Sequence, residues 1–354
     1  MSNAWADWLG EHGVARRGLS TKEDWRVYAE APRRPPPAEP AETSCLDEVV
    51  LEDYNEARMV WNANPPTVRT PQVARALEVI EQVMASNYRD ADRLRGSVVL
   101  DAEPALGKTT IALQYARTFH RRVIRRLGPR TVEGHQRVPV CYLSLSAGIT
   151  LKGLNQKLLR FYGHPAAERH TRAELGSLAV DCVHACQTQL IVIDDLHFVD
   201  FAHRDGQAVA DHLKGLASEM GASFIYVGVR LRERRFFDEG AIARGGSTAQ
   251  TARRATRYEV VPFHLSSGAA TRAWNDILTT FEDHLMLRRK TPGMLTRHAS
   301  ELHKRTQGHI GSLTNLIDRA AYLAIATGEE TITTETLSDV VIDNAAESHQ
   351  RTPA

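Results

Sequence analysis

The chain has 354 residues, enough for one core of roughly 200 to 250 residues with flanking additions. Apolar residues make up 42% and charged residues 25%, a balance that excludes both a disordered and a membrane-embedded chain. Lys plus Arg (44) and Asp plus Glu (43) nearly cancel, which excludes a histone-like binder, so any contact with nucleic acid must come from local patches.

Residues 1–18 contain no apolar stretch long enough for a signal peptide, and no later segment has the roughly 18 apolar residues of a membrane span. A cytoplasmic location without a membrane partner is expected. The four cysteines, Cys45, Cys141, Cys182 and Cys186, are too scattered for a disulfide framework, which fits a reducing compartment. Cys182, His184 and Cys186 lack a second ligand cluster at zinc spacing, so a packed helix is expected there.

The first 30 residues carry Trp5, Trp8 and Trp25, with a capping-box pattern at 20–23 that starts a short helix. These tryptophans either pack locally or dock a partner protein. The proline run 32–40 can neither continue a helix nor enter a sheet and is expected as an extended linker. Helical spacing resumes over 46–61, and Thr70 with Pro71 marks the start of a helix over 72–86.

Short apolar strands at 97–100, 138–145, 190–194, 223–229 and 258–263 then alternate with helices at 109–127, 152–162 and 206–219. This order implies an α/β fold, a parallel sheet covered on both faces. After Ser267 only helical spacing remains, near 270–287, 294–306, 310–327 and 333–341. The expected division is an N-terminal extension and linker (1–45), an α/β core with a helical lead-in (46–265), a small all-helical lid (266–345) and a tail (346–354).

The segment SVVLDAEPALGKTT, 97–110, places a strand, a tight loop and a helix start in the order of a P-loop that cradles the phosphates of ATP. Its cradle runs Ala102, Glu103, Pro104, Ala105, Leu106, Gly107, Lys108, Thr109 and Thr110. Backbone N–H groups and the helix N-terminus favour phosphate oxygens, and Gly107 allows close approach. Lys108 reaches the β- and γ-phosphates, the Thr109 hydroxyl binds Mg2+, and Thr110 lies near the α-phosphate. Ala102 stands where the motif has its first glycine, which is acceptable if that residue needs no positive φ.

The apolar strand 190–193 delivers Asp194 and Asp195 at its carboxyl end, a Walker B pattern. Asp194 is expected to hold Mg2+ through water, and Asp195 to orient or deprotonate the attacking water. His197 reads as a packed or solvated loop residue, with nucleotide sensing as the alternative. Arg117, Arg121 and Arg125 form an i, i+4 stripe, usually a solvated face and otherwise a DNA contact.

Together these segments resemble the TniB/TnsC-like AAA+ ATPases of DNA transposition. The resemblance runs from Tyr54-Asn-Glu-Ala-Arg58 through the P-loop, 144–154, the Walker B strand, Val227-Gly228 and 253–263 to Thr306-Gln-Gly-His-Ile-Gly-Ser-Leu313. It implies an AAA+ core with a helical lid, and an ATP-dependent homo-oligomer on double-stranded DNA that recruits a transposase. Many AAA+ proteins carry Glu where this chain has Asp195, one methylene shorter; a positioning error of about 1 Å can cost on the order of a hundredfold in rate. No asparagine or threonine ends the strand from Ser223, and Gly308-His309-Ile310-Gly311 offers no lid arginine, so ATP binding with weak hydrolysis is expected. Arg253, Arg254 and Arg257 either complete a neighbouring subunit's active site or form a solvated basic helix end. Thr150 and Lys152, in the loop after the second strand, are the expected DNA-backbone contacts, with helix capping as the other role for Thr150. A STAND-like ATP-dependent switch that does not touch DNA is the competing function.

Overall fold

The computed structural model describes residues 3–12, 18–32, 34–40, 43, 46–88, 95–168, 171–201, 204–233, 255–344 and 346–347. In chain order these form α1 (Ala4–His12), α2 (Lys22–Glu30), α3 (Glu48–Asn62), α4 (Pro71–Ser86), β1 (Ser97–Ala102), α5 (Lys108–Leu127), β2 (Val140–Ser144), α6 (Leu151–Tyr162), α7 (Arg172–Ala185), β3 (Leu190–Asp194), α8 (Arg204–Glu219), β4 (Ser223–Gly228), β5 (Ala255–Val260), α9 (Gly268–His284), α10 (Ala299–Thr306), α11 (Ile310–Ala326) and α12 (Thr334–Asp339). Two compact units emerge: Gly18–Ala31 with Gln72–Val261, and Met1–Arg17 with Pro32–Pro71 and Pro262–Ala354.

The first unit is built on a five-stranded parallel sheet in the order β2-β3-β4-β1-β5. Val98 to Leu100, Leu190 to Ile193 and Phe224 to Val227 are buried, as uninterrupted apolar strands must be when helices cover both faces. β5 is an edge strand of mixed sequence, and it ends before Pro262, which lacks an N–H for a ladder. It spans Ala255–Val260 where 258–263 was expected, so both ends fall three residues earlier. Helix α5 buries Ile111, Ala112, Tyr115, Phe119 and Val123 at helical spacing and stops at Gly128.

Helix α2 is part of this unit's core. Trp25 is fully buried, and its indole N–H donates to His120 Nδ1 at 3.1 Å. That bond makes Nε2 the protonated nitrogen of a neutral His120, facing Glu30 at 3.3 Å, and burial lowers the imidazole pKa. The cap of α2 is Thr21 with Asp24, one residue later than the pattern at 20–23 suggested: Thr21 Oγ1 accepts from the Asp24 N–H. In the arginine stripe of α5, Arg121 and Arg125 are exposed and Arg117 is half-buried. Arg117 donates to the carbonyls of Ala29 and Ala31 at 3.3 and 2.7 Å, and Arg121 donates to Ala29 at 2.5 Å, so both satisfy the C-terminal carbonyls of α2. Cys182 and His184 lie on the last turns of α7, where His184 Nε2 meets the Glu219 carbonyl at 3.1 Å; Cys45 is outside the described residues.

The second unit packs Trp274, Leu278, Leu313, Leu316 and their neighbours into an all-helical core. Helix α3, expected as a lead-in to the nucleotide-binding segment, contributes to this unit: Met59 packs on its core, and buried Arg58 makes a two-pronged pair with Glu330 at 2.7 and 2.9 Å. Trp5 and Trp8 of α1 pack on α3, and their indole N–H groups donate to the carbonyls of Pro37 and Arg34 in the extended proline segment. Gly308 has φ +71 and its carbonyl accepts from the Phe263 N–H at 3.0 Å; a Cβ there would meet the Phe263 carbonyl oxygen at 2.0 Å, so only glycine fits. No helix among the described residues is long and apolar enough to cross a membrane.

Trp25→Ala is expected to destabilise the sheet-containing unit by about 3–5 kcal/mol, measured as a lower urea midpoint followed by far-UV circular dichroism.

Candidate nucleotide-binding site

Strand β1 delivers the loop Glu103 to Leu106 to the start of α5. Ala102 is still a strand residue without positive φ, which explains why an alanine is tolerated at the motif's first position. The left-handed residues are Ala105 (φ 59) and Gly107 (φ 84), the former at a cost of about 1–2 kcal/mol. Gly107 is the N-cap and has no side chain to bond the first turn. The amides at 108–110 precede the first intrahelical bond, Ile111 N to Gly107 O, and are left for an external anion at the positive end of the helix dipole.

Lys108 is 8% exposed, and its Nζ donates to the Glu103 carbonyl at 2.6 Å. Burial depresses its pKa, opposed by the carboxylates of Asp194, Asp101, Glu103 and Asp195. Asp194 is buried at the end of β3. It accepts from the Tyr142 hydroxyl at 2.9 Å and the Asp195 N–H at 2.8 Å, and it shares a hydrogen bond with Thr109. Burial raises its carboxyl pKa against those bonds. Thr109 and Asp194 therefore meet as two hard oxygen donors beside the lysine, a set that fits a magnesium ion and a polyphosphate. Asp195 has φ 58, and its carboxylate accepts from Ser144 Oγ of β2 at 2.7 Å.

Asp101, the residue before the cradle, is 1% exposed and holds three donors: Leu231 N at 2.9 Å, Arg232 N at 3.3 Å and Arg257 Nε at 2.9 Å. Arg257 also pairs with Glu259 at 3.1 Å. Of the three arginines read as either completing a neighbouring subunit's site or forming a solvated basic helix end, Arg257 lies on β5 and pairs with Asp101 in the same sheet, where a buried carboxylate needs a cation; Arg253 and Arg254 lie outside the described residues. Arg230, two residues past β4, has φ 51 and donates to the Glu103 carboxylate at 2.6 Å. His197 packs against the ring of Phe198.

Thr150 caps α6, accepting from Gly153 N at 3.1 Å, while Lys152 is exposed on the first turn and the loop 146–148 is exposed before it. Asp101, Tyr142, Ser144 and Arg230 escaped sequence reasoning. The available signal was a polar residue in or just after each apolar strand, but its partner depends on strand order.

The family described as Bacterial TniB protein matches residues 58–239. No curated protein matches the chain. Among solved structures, the Aeropyrum pernix ORC1 protein in complex with DNA superposes with a TM-score of 0.58 at 16% identity, covering 82% of this chain and 69% of that one. Cdc6p from Pyrobaculum aerophilum gives 0.54 at 13% identity, covering 78% and 68%. Drosophila ORC bound to DNA gives 0.53 at 13% identity, covering 89% and 71%. These identities carry the fold, an α/β P-loop core of the AAA+ type with a helical region.

Arg257→Ala strands the Asp101 carboxylate in the core, and a loss of about 3 kcal/mol is expected. Chemical denaturation measures it, and Asp101→Asn in the same background should recover part of the loss.

Proposed function

The chain belongs to the bacterial TniB family, and from that premise we propose that it binds ATP with Mg2+, hydrolyses it slowly, and works as a homo-oligomer on double-stranded DNA that directs a transposase to its target. The observation that carries the reading is the meeting of Lys108, Thr109 and Asp194 at the uncapped start of α5.

In this reading the first-turn amides and Lys108 bind the phosphates, with Thr110 toward the α-phosphate. Thr109 and Asp194 would hold a magnesium ion, whose chemistry there would be charge neutralisation at the phosphate oxygens. Lys108 would leave the Glu103 carbonyl to do this, exchanging a neutral acceptor for phosphate oxygens that carry the opposite charge. Asp195 orients the attacking water once its carboxylate is released from Ser144. That competing bond, together with the short side chain of Asp195, supports slow turnover. Arg253 and Arg254 remain the candidates for a contact with a neighbouring subunit's phosphate.

For DNA, exposed Lys152 suits a sequence-independent phosphate contact, and Thr150 holds the turn that presents it. Two structures of the same fold hold DNA, which is in keeping with this role.

The test is sedimentation with double-stranded DNA, with and without ATP, across a salt series. Wild type is expected to form ATP-dependent assemblies that weaken with salt, Lys108→Ala to form none, and Asp195→Ala to form assemblies that persist. Lys152→Ala should lower DNA affinity several-fold at low salt. If ATP changes the oligomeric state but no DNA associates even at low salt, the DNA role fails and a DNA-independent switch takes its place.

A further inference from the structure

Glu103 holds two cations at once. Its carbonyl receives Lys108 Nζ at 2.6 Å, and its carboxylate receives Arg230 Nε at 2.6 Å. The ammonium of the phosphate-binding lysine and the guanidinium of Arg230 are thus both within bonding distance of one residue of the cradle. The topology accounts for this: β4 lies between β1 and β3, so the chain leaving its carboxyl end emerges between the P-loop and the acidic pair.

The turn that carries Arg230 is fixed. Asp101 accepts the N–H groups of both Leu231 and Arg232, and Leu231 is fully buried. Arg230 itself sits at φ 51, a conformation that a long side chain adopts only where its surroundings impose it. The ion pair it makes is easily exchanged, because the two side chains are 56% and 41% exposed and solvent screens them. A terminal phosphate offers more charge than a carboxylate and matches the guanidinium fork with two parallel hydrogen bonds.

Resting on the reading that this site takes ATP, we infer that Arg230 exchanges Glu103 for the terminal phosphate of the nucleotide and returns to Glu103 when that phosphate is absent. The pair then separates ATP from ADP at the strand end where no asparagine or threonine stands. Glu103 acts as the resting partner that sets how readily the exchange occurs.

The experiment is equilibrium binding of a non-hydrolysable ATP analogue and of ADP, each with Mg2+, to the full chain by competition against a fluorescent nucleotide. Arg230→Gln is expected to weaken the analogue about tenfold, about 1.4 kcal/mol, and to leave ADP within about twofold. Arg230→Lys should retain most of the preference, because the charge survives. Glu103→Gln, which removes the resting partner, should tighten the analogue more than ADP. Equal affinities of Arg230→Gln and wild type for the analogue, or a parallel fall for both nucleotides, would overturn the assignment. A wild-type chain that binds neither nucleotide would remove the ATP reading itself, and this inference with it.

Discussion

The buried carboxylate of Asp101 is the constraint on which the arrangement of the site depends. It lies in β1, the strand flanked by β4 and β5, and it binds a donor from each side: the turn amides after β4 and the guanidinium of Arg257 on β5. A carboxylate this deeply buried costs several kcal/mol unless it is paired and hydrogen-bonded, so the three elements must keep their mutual register. The P-loop begins one residue later, and its position is inherited from that register.

Beyond this anchor, the chemical groups of the site are internally satisfied. Lys108 rests on the Glu103 carbonyl, Asp194 on Tyr142, Thr109 and the Asp195 amide, and Asp195 on Ser144. Buried polar groups require such partners, and any ligand must offer better ones. Charged phosphate oxygens and a divalent ion would do so for Lys108, Thr109 and Asp194 in the proposed reading. A water molecule offers Asp195 little that Ser144 does not already provide, which is in keeping with the slow turnover proposed for the site.

Much of this was legible in the residues. The alternation of apolar strands and amphipathic helices gave the α/β class, and GKT after a buried strand with an acidic pair on another pointed to Lys108, Thr109 and Asp194, which the fold brings close together. What stayed hidden depends on partners distant in sequence. Arg117 and Arg121 look like a solvated stripe until the C-terminus of α2 supplies their acceptors. Ser144 and Asp195 are about 50 residues apart and meet because β2 and β3 are neighbours, a fact of strand order and not of local pattern. Arg257 meets Asp101 because β5 pairs with β1, which the local pattern of neither strand reveals.

The most direct measurement is a calorimetric titration of ATP into the protein with and without Mg2+, in wild type and Thr109→Ala. The account predicts saturable binding at one site per chain, tighter with Mg2+, and loss of that magnesium enhancement in Thr109→Ala. Absence of binding, or binding indifferent both to magnesium and to Thr109, would contradict it.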